Sequence, residues 1–140
     1  MTIPFNFVVD GPPVSQQANK ASRRRTWRSD VQEAASQHWR SQRPVIDPVT
    51  VTIDYFCYDA SPDLRHALDV DNVPKPILDA LKGLVYADDK QVCDLVCRRR
   101  NLHETLRVSS APSRLLPFLE DTLEFVYVSV THSDPTGVAL

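Results

Sequence analysis

The sequence predicts one small domain of the α+β class (mixed α/β), a mixed β-sheet packed by two to three helices. Three observations lead there. Apolar residues recur with period two, then near 3.6, in the order β-α-β-α-β-(α)-β along the chain. A length of 140 residues suits one hydrophobic core and is short for two. Apolar residues make up 42% and charged ones 24%, a globular balance with no repeat and no low-complexity segment. The domain is expected over residues 1–131, with a disordered tail over 132–140.

Residues 3–9 (IPFNFVV) read as a first strand, ended by the turn Asp10-Gly11-Pro12-Pro13. Residues 14–28 are polar and basic and are expected as a mobile loop or arm. A helix is predicted from about Asp30 to Gln42: Ser29 with Gln32 makes a capping box, Val31, Ala34, Ala35 and Trp39 share one face, and Pro44 stops it. Residues 48–58 alternate as a strand with Val49, Val51, Ile53, Tyr55 and Cys57 on one side, and 59–70 read as a loop. A second helix is predicted over about Pro74–Lys82, closed by Gly83, with Val73, Ile77, Leu81 and Leu84 facing inward. Residues 91–99 and 123–131 read as strands, with a short helix near Ser113–Leu119 between them.

No stretch approaches the ~20 apolar residues of a membrane span. The start, MTIPFNFVVDGPP, has neither the basic region nor the small-residue cleavage site of a signal peptide, so a cytoplasmic protein is expected. Cys57, Cys93 and Cys97 lie in apolar runs and read as buried thiols; the alternative, a zinc site, is disfavoured by a Cys-x3-Cys spacing within a strand. The net charge of −2 is unevenly spread. Residues 1–50 carry seven Lys/Arg against four Asp/Glu, residues 51–94 four against nine, and residues 95–140 five against five. An acidic middle between more basic flanks suits a metal-loaded centre that cuts a phosphate backbone.

The acidic middle contains Asp69-Val70-Asp71-Asn72-Val73-Pro74-Lys75-Pro76-Ile77-Leu78-Asp79-Ala80-Leu81, then Ala87-Asp88-Asp89-Lys90-Gln91. In an extended segment Asp69 and Asp71 project to one side and can share an ion. Asn72 suits a helix cap, and Lys75, Asp79 and Lys82 fall at i, i+4 and i+7 as a polar stripe. Asp88 and Asp89 follow the turn at Gly83, where the chain can return to the same end of the helix. Three or four carboxylates that converge beside a lysine repel one another unless a cation joins them. Magnesium suits such oxygen donors, keeps waters, and leaves positions for phosphate oxygens. Each part alone has a plainer reading: a capped Asp-x-Asp turn, an i,i+4 ion pair, a solvated acidic turn.

The run DVDNVPKPILDALKGLVYADDKQV, residues 69–92, resembles the signature of the RusA family of Holliday-junction resolvases, D-x-D-N-x-x-K-x-x-x-D-A-L followed by D-D-x-Q-V. The resemblance implies a RusA-like fold, with Asp69, Asp71 and Asp89 as metal-binding acids, Lys75 as the essential lysine, and Asp88 and Asn72 in support. It also implies magnesium as the cofactor, with manganese as a substitute, no organic cofactor, and a homodimer nicking opposing strands of branched DNA. The Gly11-Pro12-Pro13 turn and the basic stretch behind it resemble the family's N-terminal loop. Pro74 and Pro76 depart from the pattern; each biases its preceding residue away from the helical region, so the helix is expected to begin late.

Arg23, Arg24, Arg25 and Arg28, with Lys75, are the candidate phosphate contacts. Trp27 either stacks on a splayed base or packs over the first helix. Arg98-Arg99-Arg100 ends a strand, so alternate side chains face opposite ways, and His66 is the one histidine near the motif. Asp69-Val70-Asp71-Asn72-Val73 also fits the nucleophile motif of haloacid-dehalogenase phosphatases, but it follows the polar run PDLRHAL rather than an apolar strand. A calcium loop lacks its third ligand and glycine. Two other readings remain open: a nuclease of the same family acting on other branched or single-stranded nucleic acid, and a DNA-binding protein without catalysis.

Overall fold

The computed structural model describes residues 3–15, 20–40, 42–57, 68–102, 106–107, 111–119 and 123–140. Its elements are β1 (Phe5–Asp10), α1 (Ala21–Trp39), β2 (Val49–Cys57), α2 (Pro74–Leu81), β3 (Val92–Asn101), α3 (Leu116–Leu119) and β4 (Phe125–His132), with single 3-10 turns at Val70–Asn72 and Asp89–Gln91. The four strands form one mixed sheet in the order β1-β4-β2-β3. β4 runs antiparallel to both of its neighbours, and β2 pairs parallel with β3. A parallel neighbour needs a crossover, and α2 supplies it between β2 and β3; α1 bridges β1 to β2. This is the α+β domain expected, and no helix among the described residues is long and apolar enough to cross a membrane.

Alternation decides which face each strand buries. Phe5, Phe7 and Val9 from β1, the odd residues Val49 to Cys57 from β2, and Val126, Val128 and Val130 from β4 form one core with α1 and α2. The opposite face carries a smaller cluster, in which Phe56 stacks on Phe125 with ring centroids 4.6 Å apart beside Tyr127 and Leu115. β3 is different: most of its residues are exposed on both faces.

The first helix departs from expectation. It spans Ala21–Trp39, so Arg23, Arg24, Arg25 and Arg28 lie on its first turns rather than on a loop. Its buried stripe is Trp27, Val31, Ala35 and Trp39, four residues at constant i,i+4 spacing. Docking that stripe outweighs the like charge of the arginines, because helix stability in proteins comes mainly from packing an apolar face. Ser29 therefore lies inside the helix, and the expected capping box does not form; Lys20 is the N-cap, with no side-chain cap. The helix ends at Arg40 in the left-handed conformation, before Pro44 is reached, and its amide donates to the Ser36 carbonyl. Segment 132–140 begins with the last residue of β4. It continues through a Ser133 amide bonded to the Pro48 carbonyl and a turn in which Asp134 accepts from the Thr136 amide and hydroxyl.

Candidate active site

The acidic motif is carried by α2 and the two 3-10 turns that flank it. Pro74 is the first residue of α2, and Pro76 also lies in the first turn. Amide groups there have no carbonyl partner within the helix, so prolines cost it no hydrogen bond. The expected late start is thus overturned: Val73 adopts helical angles (φ −82°, ψ −42°) despite preceding Pro74. Both proline rings are buried, with Ile77, Ala80 and Leu81, while Lys75 between them points outward. Its Nζ lies 3.0 Å from Asp79 Oδ1. That hydrogen bond, together with the Asp79 and Asp89 charges, holds the lysine above its ordinary pKa, so the ammonium persists.

Asp69 and Asp71 are exposed at the start of α2. The chain is not extended there: Asp69 is the extended residue that precedes the turn, Asp71 lies within Val70–Asn72, and the Asn72 amide donates to the Asp69 carbonyl at 3.0 Å. A 3-10 turn advances about 120° per residue, so the single-face argument for a strand does not apply to the two acids. Asn72 does not cap α2; the cap residue is Val73, without a side-chain bond. The turn rests against β3.

Asp88 and Asp89 are placed by a second device. After α2 the chain reverses through Gly83, at φ +83°, whose amide donates to the Tyr86 carbonyl at 2.7 Å. Asp88 then caps the turn Asp89–Gln91 in a reciprocal capping box. Gln91 fixes this box: Oε1 accepts from the amides of Ala87 and Asp88 at 2.8 Å each, and Nε2 donates to the carbonyls of Val45 (2.8 Å) and Asp47 (3.0 Å). Lys82 lies over the turn, its Nζ 3.8 Å from Asp88 and 3.5 Å from Asp89. Below, buried Tyr86 donates its hydroxyl to the Leu78 carbonyl at 2.9 Å; burial, then the charges of Asp89 and Asp79, keep the phenol protonated.

Lys75, Asp79 and Asp89 thus share one neighbourhood on the outer side of α2, with buried Tyr86 beneath them and Lys82 at its far end. In the sequence Lys82 has only a place in a stripe and Gln91 only a letter in a motif; the turn geometry reveals what each does. The carboxylates are exposed, hard oxygen donors of the kind magnesium prefers, and that ion needs only one or two of them besides water and substrate oxygens. They do not form the convergent cluster expected: among the described residues no group of three or more His, Cys, Asp or Glu is arranged to hold a metal ion. Thus the acids fit magnesium in donor chemistry, without a preformed three-carboxylate cage.

The basic residues are spread rather than clustered. A helix turns about 100° per residue, so Arg23, four residues before Trp27, lies on the line of the buried stripe yet exposed at its end, Arg24 and Arg28 are half-buried to one side of it, and exposed Arg25 lies on nearly the opposite face. Arg23 lines an open cleft of about 240 Å³ with Pro12, Val14, Ser22, Thr26, Trp27 and Asp30. Trp27 itself is 3% exposed, which removes the base-stacking alternative and leaves the packing one; its indole N–H is buried without a partner among the described residues. Arg98 is engaged by Asp54 through two bonds of 2.6 and 3.1 Å. Of the cysteines Cys57 is buried, Cys97 half-buried and Cys93 exposed, none of them in a disulfide, so burial does not account for Cys93. His66 lies outside the described residues, as do residues 59–67 of the loop expected over 59–70.

The family model described as endodeoxyribonuclease RusA matches residues 10–109. No curated protein matches the chain.

Proposed function

Because the chain belongs to the RusA endodeoxyribonuclease family, we propose that it is a magnesium-dependent, homodimeric resolvase that cuts four-way DNA junctions by paired symmetric nicks in recombination and repair. The observation that carries this reading is the lysine between two buried prolines: Lys75 projects from the start of α2, next to the Asp69–Asp71 turn and in the field of Asp89.

Asp69, Asp71 and Asp89 would hold the ion, and manganese could take its place. When bound, the ion supplies Lewis acidity toward the scissile phosphate and the attacking water. Asp88 contributes less directly, since its carboxylate already accepts the Gln91 amide and sets the angle at which Asp89 is offered. Lys75 stays protonated and is oriented by Asp79; its charge would offset the negative charge that builds on the phosphate oxygens. Lys82 offsets part of the charge of the Asp88–Asp89 pair. Arg23, Arg25 and Arg28 on α1 meet flanking phosphates and add affinity without reading sequence.

The test compares synthetic four-way junctions, flaps and linear duplex with magnesium and with EDTA, beside Asp71→Asn. Magnesium-dependent paired nicking of the junction, abolished in the variant, is expected. Undiminished cutting by Asp71→Asn would remove the site assignment, and equal cutting of linear duplex would remove the junction.

A further inference from the structure

β1 is the outermost strand at the side of the sheet opposite to β3. Two other segments meet beside it. On one face Trp39 of α1 packs edge-to-face on Phe5, ring centroids 5.0 Å apart, which seats its chain neighbours His38 and Arg40 next to β1. On the other face Leu115 is buried in the second cluster, and Arg114 before it donates to the Asn6 carbonyl at 2.6 Å. Three basic side chains from two separate segments therefore gather at Phe5 and Asn6. Burial, then the charges of Arg114 and Arg40, hold the His38 imidazole below its ordinary pKa. No carboxylate among the described residues forms an ion pair with any of the three.

The negative end of a helix dipole, about half a charge, accounts for a cation at the end of α1 but not for Arg114, which comes from elsewhere in the chain. Arg40 also closes α1 at φ 57°, a conformation in which glycine is the usual residue and a side chain costs strain. Its guanidinium and that of Arg114 are both exposed.

We propose that His38, Arg40 and Arg114 form a second phosphate-binding site, which grips the backbone of a duplex arm of the DNA away from the cut. The two guanidinium forks match pairs of phosphate oxygens, and the imidazole adds a further donor. The acid-bearing turn rests against β3, three strand spacings or about 14 Å from β1, so the phosphate held here is not the scissile one. A continuous polyanion fits better than an acidic peptide, because basic groups stand at both ends of α1. Arg23, Arg24, Arg25 and Arg28 lie on its first turns, and its 19 residues separate them from the new site. That helix is about 28 Å long, the rise of about eight base pairs. The cluster stands on β1 and its neighbours alone; that its phosphate belongs to branched DNA rests on the nuclease reading above.

Binding of a synthetic four-way junction to the full chain tests it, with inorganic phosphate and polyglutamate as alternative anions. Arg40→Gly, which suits the backbone at that position, should weaken junction binding several-fold and make the slope of log affinity against log salt shallower by about one. Adding Arg114→Gln should take the slope change to about two, with an unchanged circular-dichroism spectrum. Independently, the His38 ring signals in the NMR spectrum, identified by their loss in His38→Gln, should move toward the imidazolium form when the junction is added. Unchanged slopes with unmoved His38 signals overturn the proposal. So does an equal shift of those signals by polyglutamate, which would make the surface one for an acidic protein, or by inorganic phosphate at the same phosphate concentration, which would make it a free-anion site. Junction nicking by the same samples separates the two readings. A chain that cuts junctions and binds them equally well without Arg40 and Arg114 keeps the nuclease and loses this site. A chain whose junction binding depends on the site but that cuts nothing does the reverse.

Discussion

Gln91 Nε2 donates to the carbonyl of Val45, 2.8 Å away and 46 residues earlier in the chain, while Oε1 of the same side chain holds the amides beside Asp88. One amide group therefore ties the acidic turn to the segment that enters β2. Gln91→Ala should cost about 2–3 kcal/mol in urea unfolding, because several backbone groups lose their partner together. Nicking should fall further than the stability loss explains, since Asp89 loses its fixed position. A Gln91→Ala protein as active as the parent would show that the turn needs no such tie.

Asp71 is exposed, and the prediction for it is opposite in kind. Asp71→Asn should leave the midpoint of thermal unfolding within a few degrees, a change of under ~0.5 kcal/mol. Single-turnover cleavage with magnesium should drop by about 100-fold or more. Asp69→Asn and Asp89→Asn should behave alike.

Lys75 separates charge from stability. Its i,i+4 pair with Asp79 is exposed, so Lys75→Ala should change unfolding by only a few tenths of a kcal/mol. Its folded pKa is raised, so this small stabilisation is present below the ordinary lysine value and lost only as pH rises through the higher folded one. The pH–rate profile should accordingly show no descending limb from Lys75 between about pH 6 and 9, and Lys75→Arg should keep more activity than Lys75→Ala.

Trp27 is the place where a DNA-binding assay could mislead. Trp27→Ala should cost about 3–5 kcal/mol, the penalty for emptying a buried aromatic site. Trp27→Phe keeps most of the packing and removes an N–H that is buried without a partner among the described residues, so it should cost far less. DNA affinity that tracks folded fraction in both variants would confirm a core role.

For the arginines, salt dependence is the discriminating readout. Arg25→Ala with Arg28→Ala should weaken binding to junction and duplex alike. The slope of log affinity against log salt should become shallower by about one for each phosphate that the variant no longer neutralises. An unchanged slope would assign these side chains to solvent.

The strands were legible because alternation is a local property: Val49 through Cys57 announces its buried face without help from the rest of the chain. The start of α1 was not. Four arginines near Trp27 look like a loop until Trp27, Val31, Ala35 and Trp39 are taken as one stripe at constant spacing, a signal present in the sequence and hidden by charge. The acids of the motif were legible by type and order, but their relative positions were not. Whether residues 69–71 run extended or curl into a 3-10 turn depends on how Pro74 and Pro76 seat against the core, a tertiary fact. The exposure of Cys93 has the same origin, since an apolar run in an edge strand reads like one from the interior.

β4 occupies an inner position of the sheet, between β1 and β2, although it is the last strand in sequence. Synthesis on the ribosome therefore produces β1, β2 and β3 before the strand that joins the first of these to the others. Until Phe125–His132 emerges, the apolar faces of β1 and β2 have no shared sheet, so a nascent chain stalled short of it cannot close its core. Any stop codon before Phe125 should therefore yield a chain cleared by proteolysis rather than a trimmed protein.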